Sequence, residues 1–491
     1  MTRSSILWAT GFHPSAILSV PTGRLPLKVQ TLMSPKVTVY IPSHNYGRFL
    51  EEAIESTLRQ TMSDWELLII DDGSSDETPD IIKLYGHHPQ VRTFRTEGVG
   101  LPAVCNLALG QATGRYIMRL DGDDILDENA LLVLCNALDT QPSVALVFPD
   151  YYLVDEFGEV FARERRQRLY YEDHIQDQPP NGACTLIRKD ILTEIGGYRE
   201  DLGAQDGVDI WTKIRARYRC ANVSLPLFYY RQHSSSLTRN TQRITMARQR
   251  IKQDATANAL SGVRPIIATI PCRRHYDFQV DLWKSEINGQ SLLARDIAVC
   301  LRSDMIDHVV IACDNPEAEE VIATFDDPRV HFFQRDPRST IRTASVVPTL
   351  EEICRVYDPD LHGITIMRYI QTPFVSTGTL EEAITTLLLS DADSSYGVEE
   401  IHSQVFTRNS YGLQALNNRS LVGSSNTVVY REARSCIASR NRNFAKGTLT
   451  GASVASFITS PAECFFIGSQ RDLDFARMIA TDYSDSTKNR L

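Results

Sequence analysis

No uninterrupted apolar run in this chain approaches the roughly 20 residues that a helix needs to cross a bilayer, so a membrane-spanning helix is excluded and a soluble protein is expected. An excess of basic charge is missing too. Lys and Arg number 51 against 61 Asp and Glu, a net charge of -10, which argues against nucleic acid and against broad binding to an anionic membrane. The ten cysteines never pair as Cys-x-x-Cys and show no Cys/His spacing suited to zinc. Scattered singly from Cys105 to Cys464, they fit reduced thiols in a cytosol. Residues 1–34 offer neither a secretory apolar core nor a helical pattern and are assigned no function. Met33 stands directly before the first strand-like run, so one expectation is that translation starts there.

What the chain does have is size and alternation. Its 491 residues, 42% hydrophobic and 23% charged, suit a globular protein of two or three domains. Val37 to Ile41 is a β-branched strand, and Arg48 to Arg59 places Leu50, Ile54 and Leu58 at helical spacing. Trp65 to Ile70 and Tyr116 to Leu120 are short, nearly continuous apolar runs, as expected of parallel strands covered on both faces. Ser75 or Asp76 is the expected cap of a second helix, Val91 to Arg95 a third strand, and Pro102 the first turn of another helix. The fold class is therefore α/β with a mainly parallel sheet. Two acidic clusters end strands, Asp71-Asp72-Gly73-Ser74 and Asp121-Gly122-Asp123-Asp124. Either alone reads as a turn or a helix cap. Together they lie at the carboxyl edge, where open α/β sheets bind ligands, and acids there suit a nucleoside diphosphate with its cation.

Val39-Tyr40-Ile41-Pro42-Ser43-His44-Asn45, the two acidic clusters, Asn106, Gly114-Arg115-Tyr116-Ile117, Gly196-Gly197-Tyr198, Gln205-Asp206-Gly207-Val208-Asp209-Ile210-Trp211 and Tyr230-Arg231-Gln232-His233 follow one another in order. This series resembles the family 2 glycosyltransferases of GT-A fold, over roughly Lys36 to Asn240. The resemblance implies a donor site built by Pro42, Asn45, Asp72, Asp121 and Asp123, with Asp123 the first choice of metal ligand and Asp121 facing the ribose or the metal's waters. It implies Mg²⁺ or Mn²⁺, which keeps most of its coordination for phosphate and water, and an inverting transfer from a nucleoside-diphosphate sugar. Such a transfer needs a base for the acceptor hydroxyl. Asp206 stands where the family has the second residue of a Glu-Asp pair, Gln205 departs from the first, and Asp209 is the runner-up. His233 is a candidate for the diphosphate or metal, or a satisfied loop histidine. Arg165 and Arg166, in an arginine-rich stretch, are candidate acceptor contacts for a phosphorylated or acidic glycan or lipid carrier, or part of a solvated loop.

Thr241 to Leu260 is polar with helical propensity, and Ser261-Gly262-Val263-Arg264-Pro265 carries turn and restart signals. The expected division is an extension at 1–34, a glycosyltransferase domain at 35–240, a linker helix at 241–263, a second α/β domain at 264–484 and a tail at 485–491. Strands are expected at Ile266 to Ile270, His308 to Cys313 and Ile364 to Ile370. Ile270-Pro271-Cys272-Arg273, Ile306-Asp307-His308-Val309-Val310, Tyr369-Ile370-Gln371-Thr372-Pro373-Phe374 and Asp391-Ala392-Asp393-Ser394 resemble the cytidylyltransferases that activate acidic sugars as CMP conjugates. Two Rossmann-like nucleotide-binding domains are thus expected. The second departs from its family where chemistry is concerned. Arg274-His275-Tyr276-Asp277-Phe278 replaces a small glycine- and lysine-containing phosphate loop, and the paired metal-binding aspartates fall at Phe466 and Gly468.

Three functions compete on these grounds: a glycosyltransferase with a noncatalytic C-terminal module, a bifunctional enzyme that also makes a CMP-sugar, and a noncatalytic nucleotide-sugar-binding scaffold. The first is preferred because Asp72, Asp121, Asp123 and Asp206 are all present. Its expected setting is polysaccharide biosynthesis in the cytoplasm or peripherally at the inner membrane, with a glycan, lipid-linked or protein acceptor. Relatives of the second half commonly dimerise, so a dimer through that half is a further expectation.

Overall fold

The computed structural model describes residues 34–164, 182–202, 205–233, 241–341, 343–401, 403–410, 412–416 and 429–488. The first half runs β1 (Val37–Ser43), α1 (Gly47–Leu58), β2 (Trp65–Asp72), α2 (Thr78–Tyr85), β3 (Val91–Thr96), α3 (Leu101–Gln111) and β4 (Tyr116–Arg119). It continues with β5 (Ile125–Leu126), α4 (Ala130–Asp139), β6 (Val144–Val154), β7 (Val160–Glu164), β8 (Leu186–Arg188), α5 (Lys189–Glu194), α6 (Asp206–Arg215), β9 (Arg219–Arg231) and α7 (Thr241–Ser261).

Successive strand residues point to opposite faces, and here both faces are apolar. Val39, Ile41, Leu67 and Ile69 pack with Leu50 and Ile54 of α1 and Leu131 and Leu134 of α4. Tyr40, Leu68 and Ile70 pack on the other side with Val104 and Ala108 of α3 and Trp211 of α6. The sheet order is β3-β2-β1-β4-β8-β6-β9-β5, with β7 on β6. β1 to β4 are parallel, as is β9 to β6, whereas β8 runs antiparallel to both β4 and β6.

Two glycines hold the frame where no side chain fits. A Cβ on Gly114 would lie 2.5 Å from Thr38 N and 2.7 Å from Val37 C, inside the β1 backbone. At Gly197, φ is +66° and a Cβ would sit 2.8 Å from Asn106 Oδ1, which accepts from Tyr198 N. The expected cap of α2 is corrected: Glu77 is its N-cap residue, and no side chain caps the helix. Asp76 instead accepts from Thr78 N and from Gly47 N at the start of α1, so its carboxylate joins two helices.

The second half builds its own sheet. Strands Val330–Gln334, His308–Cys313, Ile266–Pro271 and Ile364–Arg368 lie parallel in that order, followed by Val429–Arg440, Ser394–Ile401 and Val454–Ile458. Helices Leu292–Leu301 and Thr377–Leu389 cover it, and Arg368 is buried against Asp296 at 2.7 Å. No described helix is long and apolar enough to cross a membrane, and all ten cysteines are free.

Candidate active site

The carboxyl ends of β1, β2 and β4 meet at one edge. Asn45, in a left-handed conformation (φ +59°), donates its N-H to Ser74 Oγ at 2.9 Å, and its Oδ1 accepts from Ser75 N at 2.9 Å. His44 Nδ1 lies 2.6 Å from the Asp72 carbonyl oxygen, so the loops after β1 and β2 are stitched together. Pro42 is buried beside them, its carbonyl facing Gly122. The Asp72 carboxylate accepts from Thr96 Oγ1 at 2.6 Å and from Val99 N and Gly100 N, each at 2.8 Å. Burial alone would raise its pKa, but these bonds outweigh burial and hold it below the ordinary value.

Arg119, the last residue of β4, is buried between two carboxylates. Its Nε lies 2.8 Å from Asp121 Oδ1 and its Nη1 contacts Asp206 Oδ2 at the start of α6. One guanidinium thereby brings together acids that stand far apart in the chain. Burial, with Asp123 and Asp206 nearby, pushes the Asp121 carboxyl up to about 6 against the opposing pull of Arg119. Sequence reasoning missed Arg119, although a charged residue inside the apolar run from Tyr116 to Leu120 was the available signal.

Asp123 meets His233 beyond the end of β9, where His233 Nε2 lies 2.9 Å from Asp123 Oδ2. The imidazole is buried against Phe49 at 5.0 Å and Tyr46 at 5.9 Å between ring centroids. Arg231, also missed, is fully buried. It donates Nε-H to the Asp123 carbonyl at 2.9 Å and N-H to Asp124 Oδ1 at 3.0 Å, and its Nη2 pairs with Glu52. Asp124 Oδ2 is buried without a hydrogen-bond partner among the described residues. Burial and the charges of Asp123 and Asp121 push this carboxyl well above its ordinary value, against the pull of the hydrogen bond from Arg231 N.

Among the remaining candidates, Asp209 pairs with Lys213 one turn along α6 at 2.6 Å, and Gln205 is the left-handed N-cap residue of that helix. Arg165 and Arg166 lie outside the described residues. No group of three or more His, Cys, Asp or Glu side chains among the described residues is arranged to hold a metal.

At the corresponding edge of the second sheet, Tyr276 packs into two apolar clusters and Arg273 lies over its ring at 4.8 Å. Arg434 lies 4.8 Å from the Phe466 ring centroid, and Gly468 N donates to Asp472.

Residues 38–196 match the family model described as Glycosyl transferase family 2, and residues 285–449 match that described as Cytidylyltransferase. Chondroitin synthase from Escherichia coli is 31% identical over 142 residues, 29% of this chain and 21% of that protein. A glycosyltransferase from Rickettsia felis is 41% identical over 199 residues, 38% of this chain and 32% of that protein. The chain thus spans about a fifth to a third of the length of these relatives. Among solved structures, Staphylococcus aureus TarS (residues 1–349) aligns at 18% identity with a TM-score of 0.37, covering 44% of this chain and 64% of that one. The 4-diphosphocytidyl-2C-methyl-D-erythritol synthase of Anaerococcus prevotii aligns at 15% identity with a TM-score of 0.36, covering 46% and 99%.

Proposed function

We propose, for a chain whose residues 38–196 belong to glycosyl transferase family 2 and whose residues 285–449 belong to the cytidylyltransferases, that the first half transfers a sugar from a nucleoside-diphosphate donor to a hydroxyl of a glycan, lipid-linked or protein acceptor. The observation that carries this reading is the Arg119 guanidinium joining Asp121 to Asp206 beside the Asp123–His233 pair.

The donor set fits a hard divalent cation: a carboxylate oxygen and an imidazole nitrogen within 2.9 Å, next to a second carboxylate whose ionisation is opposed by burial and like charge. Asp123 and His233 would hold Mg²⁺ or Mn²⁺, with Asp121 on the ribose or the metal's waters. When bound, the cation supplies charge stabilisation for the departing diphosphate. Asp206 accepts the proton of the acceptor hydroxyl as that oxygen attacks the anomeric carbon from the face opposite the leaving group, which inverts the centre. Arg119 holds Asp206 in place, its grip on Oδ2 directing the other oxygen to the proton. Pro42, Asn45 and Asp72 shape the nucleotide pocket through the stitched loops.

The second half is a noncatalytic module in this reading. Tyr276 occupies the segment where a phosphate loop would need small residues, and Phe466 and Gly468 have no oxygen side chain for a cation. Ten free thiols support a cytoplasmic setting.

Nucleoside diphosphate release by the full-length protein from UDP-, GDP-, TDP- and CDP-sugars with Mn²⁺ tests the proposal. Release from one donor, abolished in Asp123→Ala, is expected. No release from any donor, or release indifferent to that substitution, overturns it.

A further inference from the structure

The turn that presents Asp206 does not hold itself. Its N-cap residue Gln205 sits at φ +62°, a left-handed conformation that a non-glycine residue adopts only when neighbours impose it, and no side chain caps α6. The neighbours come from α7. Arg248 donates Nε-H to Gln205 Oε1 at 2.8 Å. Asp254, farther along α7, accepts from Arg199 at 2.5 Å, and that same guanidinium also holds Asp201. The acid-bearing end of α6 and the segment leading to it are thus tied to one helix at two points.

That helix is in turn fixed to the second half of the chain. Lys252 donates to Glu382 and to Thr386 Oγ1 at 3.3 Å, and Gln253 donates to Glu381 at 2.9 Å, all on helix Thr377–Leu389. The Lys252 and Glu382 side chains are only 14% and 20% exposed, so solvent and salt screen the pair weakly. Glu381 also accepts from Ser303, which carries the attachment into the body of the second sheet's layer. Ala247, Ile251 and Thr256 of α7 are buried, so the helix is seated and not merely a tether.

We infer that the second half, stripped of its own cation ligands, serves the first as a fixed wall: through α7 it holds the N-terminal turn of α6, and Arg248 and Lys252 are positioning residues for Asp206. A wall of this kind acts on rate more than on donor binding. The donor site lies at β1, β2 and β4, while α7 contacts Gln205, the residue next to Asp206, and Arg199 upstream of it. The inference rests on the glycosyl-transfer reading for what Asp206 does, and on geometry alone for how it is held.

The test uses the full-length protein with Lys252→Glu, Glu382→Lys and the double swap. Amide hydrogen exchange in the peptide 205–215 is expected to rise about threefold or more in each single variant, with 37–43 unchanged, and to return in the swap. For whichever donor sugar the wild type turns over, kcat should fall about tenfold in each single variant with donor KM within about twofold, and the swap should restore it. Unchanged exchange in the single variants, or a swap that restores neither quantity, overturns the inference. If exchange responds as stated while the wild type releases nucleotide from no donor, the positioning stands and the glycosyl-transfer reading falls.

Discussion

His233 Nε2 lies 2.9 Å from Asp123 Oδ2 although 110 residues separate them. The contact exists because β9 runs beside β6 to its end and delivers His233 to the loop that follows β4. A carboxylate and an imidazole that meet this way are held by the whole width of the sheet between them.

Removing either partner should therefore be felt in cation affinity first. Titration calorimetry with Mn²⁺ is expected to show a loss of about 10-fold to 100-fold in Asp123→Ala and in His233→Ala, while Asp209→Asn stays near wild type.

Arg119 makes a sharper prediction. Arg119→Leu leaves the carboxylates of Asp121 and Asp206 without their shared cation, and urea denaturation should show a loss of about 3–5 kcal/mol together with lost transfer. Arg119→Lys keeps the charge but not the fork, so it should fall between the two in both measurements.

Acid stability should carry the mark of Asp393. A backbone N-H from Ala452 and the Arg442 guanidinium, with Ser453 N adding a third bond, outweigh burial and lower this carboxyl to about 2. A folded pKa below the unfolded one means stabilisation that is complete above the ordinary carboxylate range and lost as pH falls toward 2. Asp393→Asn should cost about 2 kcal/mol at neutral pH, and the difference from wild type should vanish near the acid end, as followed by denaturation at several pH values.

The second half should not activate a sugar. Full-length protein given CTP, an acidic sugar and Mg²⁺ is expected to release no pyrophosphate above a boiled control, and measurable release would show that Tyr276, Phe466 and Gly468 tolerate the chemistry.

Much of this arrangement could be read from the chain before any fold was seen. Short, nearly continuous apolar runs in β2 and β4 declared a sheet buried on both faces, and the acids after β2 and β4 declared its working edge. The antiparallel turn of the sheet at β8 was not legible, because Leu186–Arg188 is three residues long and a run that short has no periodicity to read. Arg119 and Arg231 were passed over for a different reason. Each is a charge at the last residue of its strand, and only its partners, contributed by distant segments, show that it organises the site. The mismatch at α2 has the same origin, since Asp76 divides its two oxygens between Thr78 N at the start of α2 and Gly47 N on another helix.

Asp72 has a consequence for how variants at this edge are to be interpreted. With three bonds received from residues 96–100, its carboxylate is the peg on which that segment hangs, and little of its acceptor capacity remains for a nucleotide. An alanine here would unhook the strand-to-helix passage ahead of α3, so diminished turnover in such a variant would report a displaced loop as much as a missing ligand contact.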